Sequence, residues 1–491
     1  MKMSTSAKTV WCALFIGLSC NLFCANIYSQ ELEIEIRQLP ENKHRFEISG
    51  RIKGRNDSGI KNWVFLDSYS DADNLAKRVT GLTLADNSGN VISAKQFAPG
   101  EFVAERPAAR FNYHVDLSEI DKPTSAAHVS WITGSYGFLM LNDLLPQLNA
   151  EAGPAAITLQ LNPGWSISTS EQRITQNSFS VSDPVSGVFL IGNGWRELRK
   201  KVGGSELSVA INGDWQFEDV RALEMAGSIF AEYERLLGKP AYEAKVFISP
   251  FPEMSGFDRW RAETKGGNVL IVSSKTTFDS QALQRLHEQL RHELLHLWIP
   301  NSLNLTGDYA WFYEGFVVYQ ALKSGVWLGQ IRFTDFLDTL NRAKDLNERR
   351  ENRTPLLEIS KNRWSEVGSS VYARGMLVGF LCDLALLRSS RNKSDISDLF
   401  TRLLTNNGKS SEPEKAADSL INLFSGYPEL VRVTGDHLIS DKDIYWTGHL
   451  AETGLEIDQA SGTGKIVIRS KLNGREKALL NKLGYNRWRK L

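Results

Sequence analysis

Two histidines one helical turn apart, with a glutamate beside the first, are the residues of this sequence best suited to chemistry. His292, Glu293 and His296 form the run HELLH inside residues 278–299, which are predicted to form one helix. At 100° per residue, the two imidazoles lie within about 40° of each other. That spacing suits one zinc ion, with Glu293 beside it to take a proton from an activated water. The motif therefore predicts a hydrolytic zinc site.

The opposite side of the same helix is predicted to pack on a core. Asp279 or Ser280 is expected to cap its start, and Pro300 is expected to close its end. An apolar stripe runs along this side, formed by Leu283, Leu286, Leu290, Leu294 and Leu297. One side of the helix thus packs against the protein interior, while the other side carries the two imidazoles.

A second predicted helix, residues 308–323, carries the candidate third ligand, Glu314. Asp308 is expected to cap this helix and Gly325 to end it. The residues one turn away from the glutamate are all apolar: Ala310, Trp311, Val317 and Val318. A carboxylate among apolar side chains is costly to bury unless it is paired or binds a metal, so Glu314 is expected to complete the zinc site. The alternative, two surface histidines with an ion-paired Glu314, leaves these apolar neighbours unexplained.

The other histidines lack the spacing of metal ligands. His287 lies about 140° around the helix from His292 and is interpreted as an ordinary polar position or a support for the ligands. The rest are interpreted as structural or surface residues: His44, His114, His128, His437 and His449.

The bulk composition argues for a folded chain whose function resides in a local site. The sequence has 491 residues, of which 42% are hydrophobic, enough for two to four domains. The 57 basic and 57 acidic residues cancel, so no overall charge favours nucleic acid or an anionic membrane as a partner.

Residues 1–29 are predicted to be a signal peptide. Lys2 and Lys8 precede a mostly apolar stretch at 10–24, which is too short for a confident membrane span. We therefore expect export to the periplasm or the medium, with an uncleaved N-terminal anchor as the alternative. Three of the four cysteines lie in this segment, so the mature chain has no internal disulfide, and Cys382 is predicted to be a buried apolar residue.

Periodicity predicts an α+β multidomain chain. Residues 30–200 are β-rich and expected to form a sandwich-like domain, since residues 31–36 alternate strictly between charged and apolar side chains. Residues 210–390 are expected to form the catalytic domain, with a helix at 217–237 and strands at 244–248 and 269–272. Residues 391–491 are expected to be mostly helical, and the charged stretch 341–353 to be a solvated helix or loop.

Three motifs together resemble a known family. They are HELLHLW around His292, the run WFYEGF around Glu314, and the run YARG that begins at Tyr372, followed by apolar residues. This set, within about residues 265–390, resembles the glycyl aminopeptidase family of gluzincin metallopeptidases, which is related to the aminopeptidase N group. Arg374 stands where the family more often has lysine.

The resemblance implies a thermolysin-like zinc domain and a role for each matched residue. His292, His296 and Glu314 would bind Zn²⁺, Glu293 would act as general base and then acid, and Tyr372 would stabilise the oxyanion. Beyond these five, Glu263 would bind the α-amino group of a peptide.

We therefore predict a zinc aminopeptidase that hydrolyses peptides. The nearest alternative is a zinc endopeptidase of the same fold, which would not require a free amino terminus. An alternative of another class is a catalytically inactive peptide-binding protein on a peptidase fold.

Overall fold

The computed structural model of the protein describes residues 30–53, 59–118, 122–147, 152–252, 259–351, 353–364, 368–459, 462 and 464–486. The predicted signal peptide at residues 1–29 lies outside the described residues.

The first region is made mostly of strands whose side chains alternate between a core and the surface. In β1, for example, Ile34 and Ile36 are buried while Glu33 and Glu35 are partly exposed. The elements of this region are β1 (Gln30–Leu39), β2 (Asn42–Lys53), β3 (Ile60–Val64), β4 (Val79–Ala85), β5 (Val91–Ile92), β6 (Ala94–Ala98), β7 (Glu101–Ala108), β8 (Arg110–Asp116), β9 (Trp131–Ile132), β10 (Tyr136–Met140), α1 (Leu141–Leu144), β11 (Ala152–Gln160), β12 (Ser166–Ser168), β13 (Gln172–Arg173), β14 (Ser178–Val181) and β15 (Val188–Gly192). Short 3₁₀ turns occupy Leu75–Arg78, Pro123–Ala127 and Pro184–Ser186.

These strands form three sheets. An eight-stranded sheet has the order β13-β14-β11-β1-β2-β8-β4-β5, a four-stranded sheet the order β12-β15-β10-β9, and a three-stranded sheet the order β3-β7-β6. The first two sheets share one core, in which Ile36 and Phe46 lie with Leu139 and Ile191. Two sheets that face each other across an apolar layer form a sandwich.

The four-stranded sheet also packs on the second region through its other face. Phe138 and Leu190 point away from the sandwich core and join a separate cluster with Phe247 and Leu270. The latter two belong to a five-stranded sheet of order β16-β17-β18-β20-β19. The first region is therefore packed directly against the sheet that lies behind the predicted catalytic helix.

The second region begins with that five-stranded sheet and two helices. Its elements are β16 (Arg196–Val202), β17 (Ser205–Ile211), α2 (Asp219–Leu237), β18 (Ala244–Pro250), β19 (Trp260–Lys265), β20 (Asn268–Ser273) and α3 (Asp279–Leu295). Strands β17, β18 and β20 are parallel, and β19 pairs antiparallel with β20 at the edge. The helix predicted at 217–237 and the strands predicted at 244–248 and 269–272 are present. Strand β16 crosses residue 200, the predicted domain limit, and pairs with β17.

Mostly helices follow. They and the short strands among them are β21 (Leu305–Thr306), α4 (Ala310–Tyr313), α5 (Gly315–Trp327), α6 (Phe333–Glu348), α7 (Leu356–Ile359), α8 (Gly368–Ser389), α9 (Ile396–Asn407), β22 (Glu414–Lys415), α10 (Ala416–Ser425), α11 (Pro428–Thr434), α12 (Trp446–Leu450), β23 (Leu455–Ile457), β24 (Ile466–Ile468) and α13 (Gly474–Lys482). A 3₁₀ turn spans Ser360–Asn362 and a π turn spans Gly435–Ile439. The described part of the chain thus has a mixed α/β architecture.

The charged stretch 341–353 is not solvated throughout, contrary to expectation. It begins inside helix α6, where Asn341, Lys344 and Asn347 are buried. The Asn341 amide donates to the Ile466 carbonyl at 3.1 Å and accepts from its N–H at 2.7 Å. A strand 125 residues later therefore covers this side of the helix, which local composition does not reveal.

Helix α8 is the most apolar long helix in the described part of the chain. By length and composition alone it is able to cross a membrane, but 89% of its most apolar window is buried inside the protein. Cys382 lies on this helix with no exposed surface, as predicted. The helix packs against α5 and α6 and forms the centre of the helical core.

Candidate active site

Helix α3 holds the two histidines because its leucine stripe fixes its rotation. Leu286, Leu290 and Leu294 are buried in the main core, as expected. The helix ends at Leu295 rather than near residue 299, and no side chain caps its start. His296 therefore lies at the end of the helix, where its Nδ1 is 2.8 Å from the Ile299 carbonyl. A protonated Nδ1 that donates to this carbonyl leaves Nε2 free to bind a metal.

Glu314 lies at a junction between two helices, so the single helix predicted at 308–323 is wrong. Helix α4 ends at Tyr313 and α5 begins at Gly315, with Tyr309 rather than Asp308 at the first cap. A Cβ atom on Gly315 would lie 2.3 Å from the Gly375 Cα atom of α8. This close approach of two backbones requires glycine.

Gly325 does not end helix α5, which continues to Trp327. A Cβ atom at Gly325 would lie 1.6 Å from Nη1 of Arg291, which donates to the Ala321 carbonyl at 3.1 Å. The glycine therefore makes room for a buried arginine. Since Arg291 precedes the first histidine, this contact joins the helix of the histidines to the helix that follows Glu314.

One atom from each of the three candidate ligands lies close to the other two. His292 Nε2 and His296 Nε2 are 3.0 Å apart, and Glu314 Oε2 lies 3.4 and 3.6 Å from them. Ligands of a tetrahedral zinc ion are separated by about 3.3 Å, given Zn–N bonds of about 2.05 Å. Glu314 Oε2 is buried and has no hydrogen-bond partner among the described residues. In that part of the chain these residues are the one group of three or more His, Cys, Asp or Glu with converging ligand atoms, and they fit zinc.

The surroundings hold Glu314 as an anion. Burial alone would raise the pKa of its carboxyl group, but His292, His296 and Arg363 hold that pKa well below its usual value. The side chains of the two histidines are only 16% and 9% exposed, so they are not surface residues. The alternative of two surface histidines is therefore wrong, although an ion pair with Glu314 does exist.

Arg363 forms that ion pair and was not predicted. Its Nη1 donates to Glu314 Oε1, the carboxylate oxygen that does not face the histidines. The guanidinium lies 4.1 Å from the ring centre of Trp364 and 5.3 Å from that of Tyr313. Charge and two aromatic faces thus fix the arginine, and the arginine fixes which oxygen of Glu314 faces the metal site.

Glu293 is held by a residue of the edge strand β19. The Thr264 hydroxyl contacts Glu293 Oε2 at 2.8 Å and the Glu293 carbonyl at 2.9 Å. Both residues line a cavity of about 1160 Å³ together with the three candidate metal ligands. The threonine thus orients the carboxylate expected to act as base, a contact that local sequence does not predict.

Tyr372 lines the same cavity, and its ring centre is 6.4 Å from that of His292. Burial and the charge of Glu314 raise the pKa of its phenol well above the usual value. The phenol therefore keeps its proton and is able to donate a hydrogen bond.

Glu263 lies on β19 in the cavity wall, but its carboxylate already has partners. Tyr69 Oη donates to Oε1 at 2.5 Å, His128 Nδ1 lies 2.8 Å from Oε2, and Lys265 Nζ is 3.5 Å from Oε1. Although burial would raise the pKa of Glu263, Lys265 and His128 lower it to about 2. Tyr69 and His128 come from the first region, and Trp364 contacts both rings. His128, interpreted from the sequence as a structural or surface residue, is buried and contacts Glu263 in the cavity wall.

The remaining residues singled out by sequence lie outside the group of ligands. His287 is buried, and its pKa is lowered to about 3 by burial and by Arg291. Arg374 is buried and bonded to Asp441, away from the cavity. His437 and His449 form a second close pair, with Nε2 atoms 3.3 Å apart.

Comparisons with solved structures agree with the fold described above. No protein-family model and no curated protein matches the chain. Among solved structures, an aminopeptidase N family protein from Idiomarina loihiensis superposes with a TM-score of 0.73 at 17% identity, over 86% of this chain and 78% of that one. Three structures of an M1 zinc metallopeptidase from Deinococcus radiodurans superpose with TM-scores of 0.53 or 0.54, at 13% or 14% identity.

Of those structures, the unmodified enzyme has a TM-score of 0.53 and covers 83% of this chain and 92% of its own. A variant bound to a Tyr-Ser-Ala substrate has a TM-score of 0.53 and covers 82% and 92%. The chain therefore has the fold of these metallopeptidases, as the sequence resemblance implied.

Proposed function

We propose that this protein is a zinc-dependent aminopeptidase that hydrolyses peptide bonds. The observation that carries the proposal is the convergence of His292 Nε2, His296 Nε2 and Glu314 Oε2 within 3.0–3.6 Å of one another, with the glutamate oxygen buried and lacking a hydrogen bond among the described residues. The fold shared with M1 zinc metallopeptidases supports the same metal.

The catalytic steps follow from the residues around the ligands. A bound zinc ion would polarise the scissile carbonyl and lower the pKa of a water molecule. Glu293, held by Thr264, takes a proton from the attacking water and then delivers it to the departing nitrogen. Tyr372 keeps its phenol proton and donates a hydrogen bond to the oxyanion that develops on the carbonyl oxygen.

Specificity for amino termini is supported by the position of Glu263. It directly precedes Thr264 in β19, with about 3.8 Å between their Cα atoms. Glu263, Thr264 and Glu293 all line one cavity, so an ammonium group at Glu263 would lie in the same cavity as the carbonyl attacked beside Glu293. The rings of Tyr69, His128 and Trp364 pack together where Tyr69 and His128 contact Glu263, and we infer that they limit the length of an amino-terminal extension.

Cleavage of a mixed peptide library, read by mass spectrometry, tests the proposal. The zinc-loaded protein should remove single residues from free amino termini and leave N-acetylated peptides intact. Internal cleavage of acetylated peptides would instead identify an endopeptidase. Stoichiometric zinc with no cleavage of any peptide would identify an inactive peptide-binding protein.

We further propose that the protein is exported and acts on peptides in the periplasm or outside the cell. The support is the basic start and apolar stretch of residues 1–24. Amino-terminal sequencing of the mature protein from its native host tests this: a start near residue 30 is expected, and an intact Met1 in a cytoplasmic fraction would contradict it.

A further inference from the structure

The carboxylate of Glu263 is largely occupied by groups of the protein itself. A carboxylate has about four lone-pair positions for hydrogen bonds. Tyr69 and His128 take two of them, at 2.5 and 2.8 Å, and the Lys265 ammonium forms an ion pair with the same carboxylate at 3.5 Å. The charge is also compensated, because the Lys265 ammonium lies beside it. An incoming peptide ammonium would thus meet an acid that already has a counter-charge.

Lys265 makes the contacts that proteins use to bind a ligand ammonium. Its Nζ lies 4.3 Å from the ring centre of Tyr69 and 3.5 Å from Glu263 Oε1. An aromatic face combined with a carboxylate is a common way to bind a cation. Lys265 follows Glu263 by two residues on β19, so both side chains leave the same face of the strand. Its side chain is only 8% exposed, yet it lines the cavity.

We propose that Lys265 occupies the position of the substrate α-ammonium group at Glu263 and has to leave when the amino terminus of a peptide binds. The inference rests on the proposed function, in which Glu263 binds the amino terminus. Lys265 is the partner most readily displaced, because its 3.5 Å contact is longer than those of Tyr69 and His128. Its flexible four-carbon stem allows the ammonium to move into the open cavity.

This competition weakens the binding of free amines in a predictable way. A tethered group acts at an effective concentration in the millimolar range or above, so a weakly bound amine does not displace it easily. If Glu263 is vacated by Lys265 in about 10% of molecules, the apparent Kd for an amine is weakened about tenfold. All peptides with a free amino terminus bear the same penalty, whereas N-acetylated peptides, which lack the ammonium group, do not.

The test measures binding separately from turnover. Zinc-loaded Glu293→Gln protein is titrated by calorimetry with trialanine and with N-acetyltrialanine, which lacks the ammonium group. Adding Lys265→Met should tighten the binding of trialanine about tenfold and leave that of the acetylated peptide unchanged. Lys265→Arg, which keeps the cation, should bind both peptides as the parent does. Lys361→Met, which removes an exposed lysine paired with Glu358, is the matched control.

Two outcomes overturn the inference, and one of them also bears on the proposed function. In the first, Lys265→Met binds trialanine with the same affinity as its parent. In the second, Lys265→Met tightens the binding of both peptides equally. Either result means that Lys265 does not compete with the ammonium group of the peptide. Glu263→Gln in the same background separates the causes. If it weakens trialanine binding while Lys265→Met has no effect, the amine site stands and only the role of Lys265 fails. If it changes nothing, the proposed amine site fails as well.

Discussion

Two pairs of histidines in this protein have similar separations but different surroundings. The Nε2 atoms of His292 and His296 are 3.0 Å apart, and those of His437 and His449 are 3.3 Å apart. Within the described ranges, only the first pair has a carboxylate oxygen close to both nitrogens, Oε2 of Glu314. Among the described residues, no third ligand converges on the second pair. The separation of two imidazoles therefore does not define a metal site, whereas a third convergent ligand does.

The surroundings of the two pairs also shift the histidine pKa in opposite directions. Burial would lower the pKa of His296, but the negative charge of Glu314 raises it above its usual value. Around His449, burial, the neighbouring His437 and the Arg388 guanidinium all lower the pKa, to about 4. The first pair is therefore suited to a cation, and the second pair is suited to neutral imidazoles in a packed interior.

Removing Glu314 should make the first pair resemble the second. We expect Glu314→Ala to weaken zinc binding by more than about 100-fold, because even residues that only support a ligand contribute 10- to 100-fold. Competition with a chromophoric chelator measures the change. His437→Ala, which alters the second pair, should bind zinc like the unmodified protein. Unchanged zinc affinity in Glu314→Ala would remove this residue from the site.

Removing the base should separate metal binding from turnover within the first pair. Glu293→Gln keeps the shape of the side chain but is unable to accept a proton, so kcat should fall by about 10²- to 10⁴-fold. Zinc content, measured by elemental analysis, should stay at the level of the unmodified protein. Peptide hydrolysis at an unchanged rate would rule out Glu293 as the base.

Arg363 offers a finer test of why the carboxylate of Glu314 faces the histidines. Arg363→Met should weaken zinc binding by about 10- to 100-fold, since Glu314 would lose the contact that fixes its other oxygen. Arg363→Lys retains a positive charge, so its zinc affinity should lie between that of Arg363→Met and that of the unmodified protein. Lys361→Met, two residues earlier in the chain, is the control and should have no effect. A methionine variant with full zinc affinity would show that the ion pair does not orient the ligand.

The second pair should affect stability and its dependence on pH. Because His449 binds a proton less readily when folded, its contribution to stability is present above pH 6.5 and is lost as the pH falls toward about 4. We expect His449→Gln to reduce the difference in Tm between pH 7 and pH 5 by about 2 °C. Thermal unfolding followed by circular dichroism measures this, and an identical pH dependence in both proteins would contradict it.

The sequence predicts features that depend on neighbouring residues better than those that depend on distant ones. The leucine stripe predicts which side of α3 faces the core. The apolar neighbours of Glu314 identify this glutamate as unusual, although the predicted helix is interrupted at Glu314. That interruption reflects the contact of Gly315 with Gly375, which lies 60 residues further along and has no local signal. Helix ends and breaks of this kind are set by packing.

Contacts over longer separations explain which site residues were missed. Arg363 lies 49 residues from Glu314, and His128 and Tyr69 lie 135 and 194 residues from Glu263. None of them has a periodic or motif signal in the sequence. The contacts of His128 and Tyr69 with Glu263 join the two regions. The same regions also pack together through the four-stranded sheet of the first and the five-stranded sheet of the second. The group of candidate metal ligands was thus predictable from spacing, and the residues that contact Glu314 and Glu263 were not.

Anomalous diffraction at the zinc absorption edge, from crystals of the zinc-loaded protein, tests the central claim most directly. We predict one peak per chain, about 2.0–2.2 Å from His292 Nε2, His296 Nε2 and Glu314 Oε2. The second histidine pair should have no peak. A zinc peak between His437 and His449, or no peak at the first pair when zinc is in excess, would contradict the account.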